Sequence, residues 1–275
     1  MISVRAGPLR TDGIQNAMLA IVSIAGFIAF MLPFVISALP NETARVSSRA
    51  VESSLLLALI VGGSLVIVVA ELVRDPGAGS HARSVALLAA LVAIDATLRL
   101  VPSFLGASPI FALIVLIGYV YGPRFGFVVG SLTLLLSAAI TAGVGPWLPF
   151  QMLCAGWVGV ASGWLPKSKS ARAELFTAVA LGGISGFAYG ALMNLYSWPF
   201  AAPGVTEDVG LYWSPGLSLI ESVERYTTFY VATSLVHDAT RAVATALLIV
   251  VAGAPVIRLL RRFHARAAWS SSPPR

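Results

Sequence analysis

The run Gly143-Val-Gly-Pro-Trp-Leu-Pro-Phe-Gln-Met152 separates two hydrophobic segments and decides how this chain is organised. Its two glycines and two prolines cannot continue a helix, so one helix must end and another begin here. Within a bilayer, a non-helical backbone is tolerated only near an interface or where it lines a cavity. The run is therefore either a connecting loop or one wall of a binding site.

The composition on both sides of this run is that of a polytopic membrane protein. Of the 275 residues, 57% are hydrophobic and 11% charged, and the mean hydropathy is +0.87. A water-soluble domain carries about 25% charged residues. The single cysteine, Cys154, excludes a disulfide within one chain and a cysteine-based metal cluster. The first apolar stretch is too long for a cleaved signal peptide, and we expect it to be retained.

Counting about 20 apolar residues per helix predicts eight transmembrane spans in an all-α protein. They form an N-terminal hairpin (1–73), a cytoplasmic linker (74–83), a six-span core (84–262) and a disordered cytoplasmic tail (263–275). Part of the segment 198–235, at 217–235, is expected to form a helix near the interface. The predicted spans are 14–38, 52–73, 84–101, 107–122, 124–143, 147–165, 172–197 and 236–260.

The basic residues predict the orientation of the chain in the membrane. With the N-terminus inside, the cytoplasmic segments hold thirteen Lys or Arg residues, and the outer loops hold only Arg45, Arg49 and Arg225. This positive-inside bias places both termini in the cytoplasm of a bacterial cell. It also accounts for the net charge of +6 without a nucleic-acid partner. The turn at 143–149 then faces outward, together with 101–108 and 198–235.

Small residues recur at four-residue spacing in several spans. Such residues let two helix backbones approach closely, and we expect these glycines to serve internal packing. The glycines concerned are Gly182, Gly186 and Gly190 in one span, and the pairs Gly118/Gly122, Gly126/Gly130 and Gly159/Gly163 in others.

Span 84–101 carries a broad alanine face instead. Ala86, Ala89, Ala90 and Ala93 combine into two registers of the same small-residue pattern. The face could be buried inside the bundle or could dock another membrane protein. The residues alone leave both possibilities open.

Charged side chains at membrane depth are costly and usually mark a function or a buried pair. Asp95 and Arg99 are spaced for a local pair on one helix, and so are Asp238 and Arg241. Polar and aromatic groups from three outward segments are predicted to converge on a ligand cavity that has no catalytic residue and no metal ligand. The predicted contacts are Trp147, Gln151, Asn194, Tyr196, Trp213, Asp238 and Arg241.

Three other functions are alternatives to ligand capture: a rhomboid protease, a self-sufficient secondary transporter and a scaffold without ligand. The run Gly183-Ile-Ser185-Gly186 matches a rhomboid protease motif with His237 as base, but Ser185 lies near mid-span among packing glycines. A self-sufficient secondary transporter would show inverted repeats, and no convincing repeat is present. A scaffold without ligand predicts no cavity. The chain has no phosphate-binding loop of the Gly-x-x-x-x-Gly-Lys-Ser/Thr type, so energy must come from partners.

Four stretches in order resemble the substrate-specific (S) components of energy-coupling-factor (ECF) vitamin transporters. The resemblance covers roughly residues 84–262 and is closest to actinobacterial members associated with cobalamin or related corrinoids. The stretches are Ala89-Ala-Leu-Val-Ala93, Gly118-Tyr-Val-Tyr-Gly-Pro-Arg-Phe-Gly126, Gly143–Met152 and Gly156-Trp-Val-Gly159.

The resemblance implies a function and a set of partners. S components capture a vitamin at the outer face, need no cofactor and carry no ATPase. They work with a transmembrane coupling protein and two cytoplasmic ATPases. The family's Ala-x-x-x-Ala motif, which contacts the coupling protein, falls on Ala89 and Ala93. The substrate-contacting loops correspond to 101–108, 143–149 and 198–235. The hairpin 14–73 is additional to the family pattern, and its role stays open.

Overall fold

The computed structural model describes residues 8–37, 42–73, 80–101, 105–200 and 211–269, and the statements below concern those residues. The predicted all-α fold is confirmed, since 85% of the chain is helical and no strand occurs in the described part. The helices in chain order are α1 (Pro8–Ala29), α2 (Leu32–Ser37), α3 (Glu42–Val73), α4 (Ser80–Leu98), α5 (Ile110–Tyr121), α6 (Pro123–Thr141), α7 (Leu148–Gly163), α8 (Ala171–Ser197), α9 (Leu219–Thr233) and α10 (Leu235–Trp269), with a 3-10 turn at Trp198–Phe200.

Several helix ends differ from the predicted ones. Helix α1 begins at Pro8 rather than residue 14, and α4 begins at Ser80, so 80–83 are helical rather than part of the predicted linker. The first span divides into α1 and α2 ahead of Pro33, whose ring cannot continue the preceding helix. Helix α3 begins at Glu42, well before the predicted residue 52. Helix α10 continues to Trp269, so 263–269 are helical rather than part of a disordered tail, and 270–275 lie outside the described residues. The three alanines and Arg266 of that stretch are good helix formers.

Five helical segments are long and apolar enough to cross a membrane, which makes this a multi-pass membrane protein. They are Asp12–Ile36, Ser48–Ala70, Pro123–Thr141, Ala171–Phe200 and Leu235–Ala265. Two shorter apolar helices, Val85–Leu98 and Ile110–Tyr121, lie between them in sequence. A helix is present in the predicted segment 217–235 as α9, which ends before α10 begins, and its place near the interface stays a prediction.

Glycine contacts hold the central helices together, as predicted for most of these glycines. Gly122 differs, because an added Cβ there would meet no atom within 4 Å and the residue instead joins α5 to α6 with a φ of 93°. The backbones of α5, α6 and α7 meet where Gly118 and Gly126 lie against Gly159, and a methyl group on any of the three would collide with backbone atoms. Gly186 of α8 lies against the Cα of Ala242 in α10 in the same way. Close approach without side chains maximises dispersion contact between helices.

The N-terminal hairpin packs directly on the core. Gly26 of α1 lies against Leu153 of α7, and the Trp157 indole donates a hydrogen bond to Ser23 at 3.1 Å. The Phe30 ring meets Phe150 edge-on at 5.0 Å. One continuous apolar cluster therefore includes residues of α1, α3 and the later helices.

The helices alternate in direction and give the molecule two ends. The Trp147 end holds the start of α3, the α6–α7 turn, the end of α8 and the start of α10. The Arg124 end holds the start of α1, the α5–α6 turn, the α7–α8 loop and the later part of α10. At the Arg124 end, the Arg124 guanidinium pairs with Asp12 at 2.6 Å, which ties α6 to α1.

A buried carboxylate organises the rest of the Arg124 end. Glu174 of α8 accepts hydrogen bonds from the Tyr119 hydroxyl at 2.8 Å and from Arg261. The Lys167 ammonium donates to the Tyr119 carbonyl oxygen. Burial and the nearby Arg261 lower the pKa of Lys167, and Glu174 opposes that change. This network joins α5, α8 and α10.

Candidate functional site

The Trp147 end holds a buried ion pair that the sequence predicted. Asp238 and Arg241 lie one turn apart at the start of α10, and Nη1 of Arg241 is 2.5 Å from Oδ1 of Asp238. The same nitrogen donates to the Gly186 carbonyl oxygen of α8 at 3.2 Å. Glycine at position 190 makes room for the pair, because an added methyl group would overlap the Asp238 carboxylate.

Aromatic rings and a strained turn surround Arg241. Its guanidinium carbon lies 5.1 Å from the centre of the Tyr189 ring and 6.0 Å from that of Phe111, and those rings meet edge-on at 4.7 Å. Gly106 packs over Arg241 and the His237 carbonyl with a φ of 79°. That conformation suits glycine, which lacks the Cβ that would clash. The Arg241 guanidinium is therefore held against two aromatic rings and packs against the backbone at Gly106.

Tyr196 forms a second group with the start of α3. Its ring stacks on Phe150 of α7 with centroids 4.1 Å apart, and it is 2% exposed. Its hydroxyl accepts a hydrogen bond from Nε of Arg49 at 3.1 Å. The Arg49 guanidinium also lies 4.1 Å above the Phe200 ring. This group therefore combines a cation with three aromatic rings.

Trp213 belongs to an aromatic row between these two groups. Its ring meets Phe34 of α2 at 5.5 Å, Phe34 meets Trp198 at 6.1 Å, and Trp198 meets Tyr226 of α9 at 5.3 Å. The Tyr226 hydroxyl donates to the Ala191 carbonyl at 2.5 Å. The row joins α2, the segment before α9 and the end of α8.

The remaining predicted contacts lie apart from these groups. Trp147 is 43% exposed in the α6–α7 turn, and its ring packs over Gly145. Gln151 is half-buried on the first turn of α7, and its side chain makes no hydrogen bond to another described residue. Asn194 lies near the end of α8, and its Nδ2 is buried without a hydrogen-bond partner in the protein. The structure brings Asp238 and Arg241 together but does not gather all seven predicted residues.

Several buried polar atoms at this end have no hydrogen bond to the residues that the structure describes. They are Nδ2 of Asn194, Oδ2 of Asp238, Oγ of Ser108 and both carboxylate oxygens of Glu52. Burying a polar group without a partner costs on the order of 1–3 kcal/mol. Such groups are the ones that a bound ligand would satisfy.

Helix α9 covers this end and is fixed at its start by a capping box. The Ser218 hydroxyl accepts from the Glu221 N–H, and the Glu221 carboxylate accepts from the Ser218 N–H at 2.9 Å. These hydrogen bonds hold the pKa of the Glu221 carboxyl below its usual value of 4.5. Burial and the nearby Asp238 carboxylate raise the pKa of Tyr230 to about 12, so its hydroxyl stays protonated.

Two expectations about local pairs and motifs turn out differently. Arg99 does not pair with Asp95, because its Nη1 donates to Ser137 at 3.3 Å instead. Asp95 is fully buried against α6, where neither carboxylate oxygen is hydrogen-bonded. The Ser185 hydroxyl donates to Gly182 of its own helix at 2.9 Å, and His237 is exposed. No contact between Ser185 and His237 is found among the described residues.

The alanine face of α4 lies on the surface. Ala86, Ala89, Ala90 and Ala93 are all exposed, and the opposite face of the helix is buried. Ala96, outside the two registers, is buried. Of the two open interpretations, burial within the described bundle is excluded for these four residues.

Comparison with family models gives one match, to the ECF transporter substrate-specific component, over residues 83–253. The match covers more than half of the chain. The chain belongs to the ECF transporter substrate-specific component family. As an S component it is a substrate-binding membrane subunit, not an enzyme, and its family implies association with a membrane coupling protein and ATPases. Comparison with curated proteins and with solved structures gave no match.

Sequence reasoning missed several residues that now define this end of the S component. Arg49 and Glu52 were missed because hydropathy predicts that a membrane span begins at residue 52 and that Arg49 lies in an outer loop. Phe34 and Phe111 were missed because an aromatic residue in an apolar helix carries no signal of its own. The sequence did carry one signal for Arg49 and Glu52, because they are two charged residues one turn apart at the edge of a predicted span.

Proposed function

We propose that this S component captures a corrinoid, such as cobalamin, at the Trp147 end and that this end faces outside the cell. The observation that carries the site is the set of buried, unpartnered polar atoms among aromatic rings, which includes Asn194 and Asp238. Pockets for small molecules combine apolar and aromatic walls with a few placed polar groups. Trp147, Gln151, Asn194, Tyr196, Trp213, Asp238 and Arg241 are the proposed contacts.

The proposed orientation rests on charge. The Arg124 end carries Arg124, Lys167, Arg258, Arg261 and other basic residues, and a cytoplasmic position for it agrees with the positive-inside rule. With this orientation, the eight proposed spans cross the plasma membrane of a bacterial cell and both termini lie in the cytoplasm.

The alanine face of α4 is the proposed docking surface for the coupling protein. All four alanines are exposed on a helix whose other side is buried. An exposed strip of small residues in a membrane lets a partner helix approach to backbone contact. Two cytoplasmic ATPases, held by the coupling protein, would then supply the energy.

Replacing Ala93 with leucine tests the docking surface. The larger side chain should hold a partner helix away, so uptake of cyanocobalamin in cells expressing the coupling protein and ATPases should fall to background. Binding of cyanocobalamin by the purified variant should stay at the wild-type level, because Ala93 is exposed on α4 and is not one of the proposed substrate contacts. Ala180→Leu, at an exposed alanine of α8, is the matched control and should keep uptake.

Two results would contradict the proposal. Uptake in Ala93→Leu cells at the level of the Ala180→Leu control would exclude docking through this face. Vitamin uptake that persists in cells lacking the ATPases would favour a self-sufficient secondary transporter instead.

A further inference from the structure

The N-terminal hairpin reaches into the Trp147 end through one face of α3. Arg49 and Glu52 are three residues apart and so lie on the same side of that helix. Both precede residue 83, where the match to the S-component family begins. Whatever these residues do is an addition of this chain to the shared core.

Arg49 is only partly used by the protein. Its Nε donates to the Tyr196 hydroxyl, and its guanidinium lies over the Tyr196 and Phe200 rings at 5.3 and 4.1 Å. An arginine has five N–H donors in a planar fork. The described hydrogen bonds of Arg49 use one of them, so the terminal nitrogens keep donors for another acceptor.

Glu52 is an acceptor in the same place. It is 8% exposed, and neither of its carboxylate oxygens accepts a hydrogen bond from another described residue. The Arg49 guanidinium is close enough to attract the Glu52 carboxylate, and the Tyr196 hydroxyl is close enough to interact with it electrostatically. The two side chains nevertheless do not form a close ion pair with each other.

A purely structural anchor does not account for this arrangement. The hairpin is already held by apolar contacts such as Phe30 on Phe150 and Gly26 on Leu153. A buried carboxylate without a hydrogen bond costs several kcal/mol that a leucine or methionine at position 52 would avoid. A ligand that donates a hydrogen bond to the Glu52 carboxylate would offset this cost.

We propose that α3 forms part of the substrate site and that Arg49 and Glu52 together bind a primary carboxamide of the ligand. The proposal rests on the proposed capture of a substrate at this end. Arg49 donates to the carboxamide oxygen, and Glu52 accepts from its NH2 group. A ligand carboxylate would be repelled by Glu52 and a ligand cation by Arg49, whereas a neutral amide satisfies both. Phe150 and Tyr196 supply the apolar wall beside it.

The test uses purified full-length protein and two probes, cyanocobalamin and its monocarboxylate derivatives, in which one side-chain carboxamide is hydrolysed. Loss of one hydrogen bond to a charged group corresponds to a roughly tenfold to hundredfold weaker Kd. Arg49→Ala and Glu52→Ala should each weaken cyanocobalamin binding by that factor. Leu55→Ala, which is 67% exposed on α3, and Arg258→Ala at the other end should bind like wild type.

Glu52→Gln separates ligand contact from packing. Glutamine keeps the shape of the side chain, so the thermal stability of the free protein should not fall. The monocarboxylate hydrolysed at the bound position should bind the wild type at least tenfold more weakly than cyanocobalamin. Glu52→Gln should reduce that discrimination by a similar factor, because the repulsion between two carboxylates is removed.

The outcomes are distinct. Arg49→Ala and Glu52→Ala proteins that bind cyanocobalamin like Leu55→Ala would overturn the role of α3. A wild type that does not bind cyanocobalamin but still imports another vitamin with the coupling protein and ATPases would overturn the carboxamide ligand and leave the importer function standing. Discrimination between the two probes that is unchanged in Glu52→Gln would overturn the contact at Glu52.

Discussion

Replacing Gly190 with alanine should release the buried ion pair at the start of α10. An ideal Cβ at this position would lie 1.9 Å from both carboxylate oxygens of Asp238. Non-bonded heavy atoms sit at about 3.5–4.0 Å, so the carboxylate must retreat by more than about 1 Å. The Asp238 carboxylate is held 2.5 Å from Arg241, and a shift of that size breaks their hydrogen bond.

The expected size of the effect follows from the burial of the pair. Breaking a buried ion pair costs about 3–5 kcal/mol, and alanine returns up to about 1 kcal/mol over glycine within a helix. A net loss of about 2–4 kcal/mol corresponds to a fall in Tm of about 5–15 °C for a chain of this size. Cyanocobalamin binding should weaken together with stability, because Arg241 loses its fixed position.

Thermal unfolding of the purified protein in detergent, followed by tryptophan fluorescence, measures the change. Gly183→Ala is the matched control on the same helix, since a methyl group there would meet no atom within 4 Å. A double-mutant cycle isolates the contact: in an Asp238→Ala background, Gly190→Ala should be neutral or stabilise the protein by up to about 1 kcal/mol. Equal Tm values for Gly190→Ala and Gly183→Ala would refute the close contact between α8 and Asp238.

Three further predictions concern Asn194, Glu221 and Ser185. Asn194→Ala should weaken cyanocobalamin binding about tenfold in titration calorimetry with little change in Tm, because the lost amide donor has no partner in the free protein. The pKa of the Glu221 carboxyl is lower in the folded protein than in the unfolded chain, so its capping contribution to stability is present above the unfolded pKa. This contribution should be lost as the pH falls below about 4.5. Hydrogen exchange in the first turn of α9 measures the loss, and Glu221→Gln should remove this pH dependence. Ser185→Ala should leave binding and uptake unchanged, because its hydroxyl contacts only its own helix.

Each of these has a result that speaks against it. Wild-type affinity in Asn194→Ala would remove that residue from the site. Identical exchange in wild type and Glu221→Gln at every pH would show that the capping box does not stabilise α9. Loss of function in Ser185→Ala, with stability intact, would reopen a catalytic role for this serine.

The helices and their breaks could be predicted because they depend on local chemistry. Apolar length and the breaks at Gly122-Pro123 and around Pro146 and Pro149 fix where helices start and stop, whatever they later pack against. Glycines at four-residue spacing likewise indicated close helix packing, and the structure shows Gly186 of α8 packed on α10. Asp238 and Arg241 could be paired from spacing alone, since both lie on one helix.

The candidate site was only partly predictable because it depends on contacts between distant segments. Nothing in the spacing of Asp95 and Arg99 indicates that Arg99 turns to Ser137 of another helix. The exposure of the alanine face also required the packed bundle, since an alanine strip is equally suited to burial and to docking.

By itself, the sequence determined that this is an all-α membrane protein with a break at Gly143–Met152, because hydropathy and backbone conformational limits act within a few residues. Tertiary structure decided that the N-terminal hairpin packs on α7 and brings Arg49 and Glu52 to Tyr196, which is 147 positions from Arg49 along the chain. Such contacts arise from the shape of whole helix faces, and no local pattern encodes which two faces will meet.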